Sequence, residues 1–255
     1  MQNYFDFTGK VVLVTGASSG IGRATAEFFA ENGADVAITF HHNEKGANET
    51  VEKITGFGCR GLAIQADFTN NETVAKTVRE VEAKLGSVDI LVNNAGSLVE
   101  RLRTLELTEE RWDEVFALNV KSAFFAVQAV IPKMLEKKSG VIVNVTSIAG
   151  RNGGALGSIH YSSAKAAMLI MTKGLAKEFA SQGIHINAVS PGVIDTPYHE
   201  TFSTPEAMKN FAGMIPMGRV GTSAEVAKTI GFLASEASSY LCGETIEING
   251  GMMMD

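Results

Sequence analysis

Short apolar runs rich in β-branched residues alternate along the chain with longer segments in which apolar residues recur every three or four positions. Continuous apolar runs of this kind are typical of parallel strands that are covered on both faces. They predict seven strands, at Lys10–Thr15, Asp35–Phe40, Gly61–Gln65, Val88–Val92, Gly140–Val145, His185–Val189 and Glu244–Ile248. The longer segments predict helices at Ile21–Glu31, Lys45–Thr55, Glu72–Leu85, Glu109–Glu136, Tyr161–Ser181 and Ser223–Ala234.

This regular alternation predicts an α/β fold, with a seven-stranded, mostly parallel sheet and helices on both of its faces. No linker rich in proline, glycine or serine divides the chain, so residues 1–255 are expected to form a single domain. The pattern breaks only at Gly192–Arg219, which holds three of the five prolines. A connection of that length is usually functional, and we expect a substrate lid at about residues 192–219. Phe211, Met214 and Ile215 have the spacing of a short amphipathic helix within it.

Charge and composition exclude several functions. The chain carries 22 basic and 28 acidic residues, a net charge of −6, whereas a nucleic-acid binder needs a basic face. No apolar run approaches the ~20 residues that span a bilayer, and Met1–Lys10 lacks the apolar core of a secretory signal. A cytoplasmic protein with neither a nucleic-acid nor a membrane partner is therefore expected.

The cysteines and histidines indicate neither a disulfide nor a metal centre. Cys59 and Cys242 lie far apart and fit no metal or redox spacing, so two free thiols are expected. His160, His185 and His199 show none of the spacings typical of metal ligands. We expect no bound metal.

The first predicted strand leads into a glycine-rich turn, Thr15-Gly16-Ala17-Ser18-Ser19-Gly20-Ile21-Gly22, and then a helix. Gly16 permits a tight turn, Gly20 permits close approach of a ligand to the backbone, and Gly22 lets the helix pack on the sheet. A pyrophosphate is expected at the N-terminus of this helix. A tight turn without a ligand remains the alternative for this motif alone. The strand, turn and helix together predict a Rossmann-type arrangement.

Six landmarks in the same order resemble those of the short-chain dehydrogenase/reductase family. They are Thr15-Gly16-x-x-x-Gly20-x-Gly22, Asp67, Asn93-Asn94-Ala95-Gly96, Asn119, Ser147 with Tyr161-x-x-x-Lys165, and Pro191-Gly192. The resemblance covers nearly the whole chain. It implies an NAD(P)(H)-dependent oxidoreductase that interconverts a carbonyl and a secondary alcohol by hydride transfer.

Tyr161 and Lys165 are four residues apart at the start of a predicted helix and therefore share a face. A lysine ammonium ~4 Å from a phenol would lower the phenol pKa by roughly 3 units at most. Tyr161 could then exchange a proton with a substrate oxygen near neutral pH. The resemblance implies that Ser147 holds the same oxygen and that Asn119 belongs to a proton relay ending at Lys165. A simple amphipathic pair is the alternative reading of Tyr161 and Lys165 alone.

The resemblance also implies the residues that bind the dinucleotide. Asp67 is similar to the residue that contacts the adenine, although it could instead cap a strand end. Asn93 would shape the ribose floor or pin neighbouring strands, and Thr196 would bind the nicotinamide carboxamide. The whole expected set is Gly16, Ser18, Ser19, Gly20, Ile21, Gly22, His41, Asp67, Asn93, Ala95, Gly96, Tyr161, Lys165, Pro191, Gly192, Ile194 and Thr196.

The end of the second strand bears on the choice of cofactor. Phe40 stands where a carboxylate would bind the ribose hydroxyls of NAD and repel the 2′-phosphate of NADP. The absence of that carboxylate, with His41, Asn43 and Lys45 following, favours NADP(H). NAD(H) remains possible, since no arginine stands at the position of His41.

Polar residues near Tyr161 indicate the kind of substrate. Asn152, His160 and His199 are the expected substrate contacts, with Arg101 or Arg151 available for a carboxylate. This polar set favours a keto-sugar or sugar acid. The alternatives are a 3-oxoacyl-thioester reductase and, in a different class, a nucleotide-sensing protein without catalysis.

Two helices are expected to mediate self-association. By resemblance, relatives pair through the helices equivalent to Glu109–Glu136 and Tyr161–Ser181. The second of these is apolar on more than one face, so it should be covered on more than one side. We expect a homotetramer.

Overall fold

The computed structural model describes residues 4–202 and 204–254, although the side chains of residues 198–200, 205 and 207 lie outside this description. Seven parallel strands in this range form one sheet of order β3-β2-β1-β4-β5-β6-β9, and β7 pairs with β8 in a small second sheet. The strands are β1 (Val11–Val14), β2 (Asp35–Phe40), β3 (Gly61–Gln65), β4 (Ile90–Asn93), β5 (Gly140–Val145), β6 (Ile184–Pro191), β7 (Ile194–Asp195), β8 (Gly221–Thr222) and β9 (Thr245–Ile248).

Helices follow the strands in turn and cover both faces of the large sheet. They are α1 (Gly20–Glu31), α2 (Glu44–Gly56), α3 (Asn71–Lys84), α4 (Glu109–Phe116), α5 (Ser122–Lys137), α6 (Ala149–Asn152), α7 (Ile159–Phe179), α8 (Pro197–Phe202), α9 (Pro205–Met214) and α10 (Ser223–Ala234). The predicted fold class, a seven-stranded parallel sheet between two helical layers, is confirmed. The predicted segments agree with these bounds to within about two residues, apart from the long helix at Glu109–Glu136.

That long helix is not uniform, because a π-helical turn at Ala117–Lys121 separates α4 from α5. π-turns interrupt helices most often at functional sites. Asn119 lies within the turn and is fully buried. The hydrophobic pattern does not reveal such a turn.

Two apolar clusters hold the layers together, one on each face of the sheet. Val12, Val14 and Ile38 face the cluster that includes α1 and α10, whereas Leu13 and Leu91 face the cluster that includes α3 and α5. Alternate residues of a strand point to opposite faces, so every position of a doubly covered strand is apolar. This explains the continuous apolar runs in the sequence.

By length and composition, one stretch of the described chain could cross a membrane. It is Glu109–Lys137, in which an 18-residue window has a mean hydropathy of 1.5. The stretch is not a continuous apolar run, because Lys121 and Ser122 interrupt it. In this fold the stretch packs on the sheet, with Ala126, Val130 and Met134 fully buried. A core helix of an α/β domain has the same apolar composition.

Candidate active site

A cleft of about 540 Å³ lies at the carboxyl ends of the central strands. Open parallel sheets bind ligands at this edge. Most of the predicted site residues line it: Gly16, Ser19, Gly20, Ile21, Gly22, His41, Ala95, Gly96, Ser147, Asn152, Tyr161, Lys165, Pro191, Gly192, Ile194 and Thr196. The fold thus gathers residues from positions 16 to 196 around a single cavity.

The glycines of the first turn are required by the backbone. Gly16 and Gly20 have φ angles of +66° and +56°, in the left-handed region that favours glycine. A Cβ on Gly16 would lie 2.9 Å from the Cα of Ala95, and one on Gly22 would lie 2.5 Å from the Nδ2 of Asn94. These contacts leave no room for a side chain where the turn passes the β4 loop.

The N-terminus of α1 is open to an anion. No side chain caps it at Ser19, and its first turn carries no acidic residue. By contrast, α2 and α3 are each capped by an asparagine side chain and carry a glutamate in the first turn. The first amides of any helix have no intrahelical partner, and those of α1 also lack the side-chain cap that α2 and α3 have. Gly20, Ile21 and Gly22 line the cleft, so this end fits the pyrophosphate of a dinucleotide.

Asn94 holds the glycine-rich turn in place, a role that the sequence analysis did not assign. Its Nδ2 donates to the carbonyls of Thr15 and Gly16, each at 2.9 Å. In return, the Oγ1 of Thr15 accepts from the amides of Asn94 and Ala95 at 3.0 and 2.9 Å. The adjacent Asn93 points elsewhere: it is buried, does not line the cleft, and donates to Asn144 on β5 at 2.9 Å. Of its two expected roles, the structure shows the strand-pinning contact.

Tyr161 and Lys165 lie on the first turns of α7 and share the cleft wall, as their spacing predicts. The Lys165 Nζ lies 5.6 Å from the centre of the Tyr161 ring and donates to the carbonyl of Val145 at 2.9 Å. Burial lowers the pKa of Lys165 to about 8, because the interior disfavours the charged form. A lysine with this pKa still carries its charge for most of the time at neutral pH.

Ser147 follows β5 and lines the same cleft. Its Oγ accepts a hydrogen bond from the amide of Ala149 at 3.1 Å, which leaves its own hydroxyl proton able to donate to a ligand. The loop between Ser147 and Tyr161 turns through Gly153, Gly154 and Gly157, all with positive φ. The loop therefore turns back on itself, and both residues lie on the cleft.

Asn119 approaches the back of the cleft near Gly96. Its Nδ2 donates to the carbonyls of Ser97 and Val115 at 2.8 and 2.9 Å, whereas its buried Oδ1 has no hydrogen-bond partner among the described residues. A Cβ on Gly96 would lie 2.5 Å from this Oδ1 and 3.1 Å from the Lys165 Nζ. Gly96 thus keeps a small polar space shared by Asn119 and Lys165.

The two residues expected at the adenine end, His41 and Asp67, differ in whether they line the cleft. His41 lines the cleft and its ring lies against that of His42, with centroids 3.6 Å apart. Asp67 does not line the cleft; its carboxylate accepts from the backbone amide and the hydroxyl of Thr69, and these bonds hold its pKa below the usual value. The structure therefore shows the strand-end cap for Asp67.

Phe40 is buried in the hydrophobic core, with 7% of its surface exposed. A carboxylate in its place would lie in the core rather than beside a ribose. The next residue, His41, faces the cleft instead, so a cofactor-selecting role at this strand end is better served by His41 than by Phe40. Strand alternation explains the difference of one position.

A second, smaller cleft adjoins the glycine-rich turn. It is lined by Ser18, Arg23, Asn43, Lys45 and Glu49. Arg23 donates to the carbonyls of Ser18 and Gly46 at 3.2 and 2.8 Å and pairs with Glu49 at 2.9 Å. Arg23 was absent from the sequence prediction, because it sits on α1 and reaches the turn only through the packing of α2.

The expected substrate contacts also separate. Asn152 lines the cleft and its Oδ1 accepts from the amide of Gly154 at 2.8 Å. His160 is fully buried, does not line the cleft, and its Nε2 bonds to the carbonyl of Glu100 at 3.0 Å, a position that does not support a substrate contact. The side chain of His199 lies outside the described part of the chain. Arg101 lines the cleft, whereas Arg151 pairs with Glu247 at 2.8 Å.

Comparison with known proteins agrees with this fold. Residues 16–253 match a short-chain dehydrogenase family model described as enoyl-(acyl carrier protein) reductase. The chain belongs to the short-chain dehydrogenase/reductase family of oxidoreductases.

Individual relatives are similar over nearly the full length. The chain is 40% identical over 245 residues to the 3-oxoacyl-(acyl-carrier-protein) reductase FabG of Staphylococcus epidermidis, covering 96% of this chain and 99% of that protein. It is 39% identical to the FabG of Vibrio cholerae, over 96% of this chain and 98% of that one. A solved structure described as a short-chain alcohol dehydrogenase of Sinorhizobium meliloti has 35% identity and a TM-score of 0.92, over 98% of both chains.

Proposed function

We propose that this protein reduces the keto group of a 3-oxoacyl thioester with NADPH. The observation that carries the proposal is the placement of Tyr161, Lys165 and Ser147 on one wall of the cleft that also receives the open N-terminus of α1. The similarity to relatives named 3-oxoacyl-(acyl-carrier-protein) reductase supports the choice of substrate class.

The bound cofactor supplies the hydride that reaches the carbonyl carbon. Gly20, Ile21 and Gly22 would hold its pyrophosphate by their amides, with Asn94 keeping the turn rigid. Residues 191–194 and 196, from the end of β6 onward, also line the cleft and would hold the nicotinamide half.

Tyr161 acts as the proton donor in reduction and the acceptor in oxidation. The ammonium of Lys165 lies close to the Tyr161 ring and favours the ionised form of the phenol, which suits Tyr161 for exchanging a proton with the substrate oxygen. Ser147 donates a hydrogen bond to the substrate oxygen and orients it. Asn119 offers its unpaired Oδ1 beside Lys165 as a hydrogen-bond acceptor for a water, which would pass a proton to Lys165 and so return it to the site.

The preference for NADPH rests on the surroundings of the second cleft. Arg23 and Lys45 bring two positive charges next to Ser18 and Asn43, a combination that suits a 2′-phosphate. Glu49 partly neutralises these two charges, because it pairs with Arg23 and, at 3.9 Å, with Lys45. Because no carboxylate replaces His41, NADH is expected to serve less well rather than not at all.

A keto-sugar or sugar acid is the second candidate substrate. Asn152 and Arg101 on the cleft wall favour it, because they could bind hydroxyl and carboxylate groups. Segment 192–219, with α8 and α9, would close over either substrate as a lid. We further propose a cytoplasmic homotetramer.

The test is the consumption of NADPH at 340 nm with acetoacetyl thioesters and with keto-sugars, each repeated with NADH. The proposal expects the thioester with NADPH to give the highest kcat/KM. A kcat/KM at least tenfold higher for a keto-sugar would move the assignment to the second candidate. If neither NADPH nor NADH is oxidised in the presence of any of these carbonyl compounds, catalysis by this site is contradicted.

A further inference from the structure

The substrate end of the cleft is positively charged in an acidic protein. The chain has 28 acidic residues, yet no carboxylate lines the cleft among the residues that the structure describes. The two formally positive side chains on its wall are Lys165 and Arg101. Lys165 is buried beside Tyr161 and belongs to the proton transfer. Arg101 is therefore the cation that remains for a ligand.

Arg101 also lacks the carboxylate partner that most arginines of this chain have. Arg23, Arg60, Arg111, Arg151 and Arg219 each form an ion pair at 3.1 Å or less. No ion pair joins Arg101 to any described residue, although the side chain is partly buried. A partly buried guanidinium without a counter-ion is unfavourable on its own, so an anion at this place would be stabilised.

Two backbone carbonyls fix the guanidinium across the mouth of the cleft. The Nε of Arg101 donates to the carbonyl of Phe202 on α8 at 3.2 Å, and its Nη1 donates to the carbonyl of Leu156 at 3.4 Å. An arginine has five N–H donors, so three remain without a protein partner in the described chain. Phe202 and Leu156 lie on the lid segment and the loop before α7, which places Arg101 at the substrate end.

The backbone that carries Arg101 is held in a strained form. Val99 has a φ of +65°, which is costly for a β-branched residue, and the amide of Glu100 donates to the carbonyl of Leu98 at 2.8 Å across this tight turn. The carbonyl of Glu100 accepts from His160 and the amide of Leu102 donates to the carbonyl of Gly157 at 3.0 Å. Such strain is maintained at functional sites, where it fixes a side chain in advance.

We infer that Arg101 binds an anionic group of the substrate, a carboxylate or a phosphate, and thereby selects anionic over neutral carbonyl compounds. The inference rests on the proposed function, because it assigns the anion to the molecule that Tyr161 reduces. The anion has two possible sources. It is the carboxylate of a keto-sugar acid or the phosphate of a phosphopantetheine thioester.

The experiment uses substrate pairs that differ only in the charged group. Acetoacetyl-phosphopantetheine is compared with acetoacetyl-pantetheine, and a keto-sugar acid with its methyl ester. Each is tested on the wild type, Arg101→Ala, Arg101→Lys and the control Arg103→Ala, which removes an equal charge from an exposed position two residues away. Calorimetry of each compound with the protein and NADP⁺ measures binding without turnover.

Arg101→Ala should weaken binding and kcat/KM for the anionic member of one pair by on the order of tenfold or more, since hydrogen bonds to charged groups are the strong ones. For the neutral member, binding and kcat/KM should change less than about threefold. Arg101→Lys should recover part of the loss for the anionic member. Added salt should reduce the preference of the wild type for the anionic over the neutral member. Arg103→Ala and the affinity for NADPH should not change. The pair that responds identifies the source of the anion.

Equal losses for the charged and neutral members, or no loss for either pair, would overturn the inference. If no carbonyl compound is reduced, the proposed function fails instead. The calorimetric comparison then still decides whether Arg101 binds an anion.

Discussion

The Nζ of Lys165 lies 5.6 Å from the centre of the Tyr161 ring, in a place where almost no water reaches it. The cleft therefore keeps an ammonium group beside a phenol at the cost of desolvating the ammonium, and burial lowers the pKa of Lys165 to about 8. A charge retained at such a cost is typical of a functional site. The consequence can be measured as stability as well as activity.

Replacing Lys165 with methionine should stabilise the protein while it slows turnover. A pKa of about 8 instead of 10.5 corresponds to a cost of ~3 kcal/mol for the charged lysine. Loss of its hydrogen bond to Val145 offsets about 1 kcal/mol of that. The free energy of unfolding at pH 7 should therefore rise by about 1–3 kcal/mol, measured by urea denaturation.

The same measurement has a defined pH dependence. Below pH 8 Lys165 is protonated in both the folded and the unfolded chain, so the full desolvation cost of its charge is present. Between pH 8 and 10.5 only the unfolded chain holds this proton, so the stability of the wild type rises with pH. The advantage of Lys165→Met should shrink across that window. Lys173→Met, at an exposed position on the same helix, is the control. If Lys165→Met has a lower free energy of unfolding than the wild type at pH 7, the charge of the buried lysine does not destabilise the fold.

Removal of the same charge should also shift the pH profile of alcohol oxidation. In Lys165→Ala the tyrosinate of Tyr161 loses its stabilising neighbour, so the pKa of the phenol rises. The pH of half-maximal kcat/KM should move upward by about one unit or more. Residual activity with an unchanged profile would exclude this role of Lys165.

Cofactor choice should respond at His41 and not at Phe40. His41→Asp places a carboxylate on the cleft, where a like charge ~5 Å away at an effective dielectric of ~40 costs about 1.7 kcal/mol, more than tenfold in NADP affinity. The ratio of kcat/KM for NADPH and NADH measures the shift, with His41→Ala as the neutral control. Phe40→Asp should instead lower the free energy of unfolding by several kcal/mol, since it buries a charge in the core. A wild type that already prefers NADH tenfold would contradict the assignment of NADPH.

The exposed apolar residues of α7 and α5 provide a test of assembly. Ile170 on α7 is 68% exposed and Phe124 on α5 is 39% exposed in the single chain. If these helices pair copies of the chain, light scattering should give four times the chain mass of 27.1 kDa. Ile170→Glu should reduce that mass, because the interface would bury a charge. Leu105→Glu, at a fully exposed loop position, should leave it unchanged; a monomeric wild type would refute the tetramer.

The sequence predicted most of the fold and of the cleft for a simple physical reason. Doubly covered strands must be apolar at every position, so their limits are visible as continuous runs. The glycine turn, Ser147 and the Tyr161–Lys165 pair depend on short-range geometry, which spacing along the chain records.

The residues that the sequence analysis missed or misplaced depend on packing between distant elements. Arg23 reaches the second cleft because the first turn of α2, at Gly46, lies beside α1. His160 precedes Tyr161 in sequence, but the helix turns it away from the cleft toward Glu100. The unpaired Oδ1 of Asn119 results from a π-turn that no hydrophobic period marks. Each of these requires the folded arrangement to be seen.

The most direct test of the account is the replacement of Tyr161 by phenylalanine, assayed at 340 nm with NADPH and an acetoacetyl thioester. The change removes only the hydroxyl, so the affinity for NADPH, measured by calorimetry, should stay within about twofold while kcat falls at least 100-fold, the usual contribution of a general acid. A kcat above a tenth of the wild-type value would contradict Tyr161 as the proton donor, and with it the mechanism assigned to this cleft.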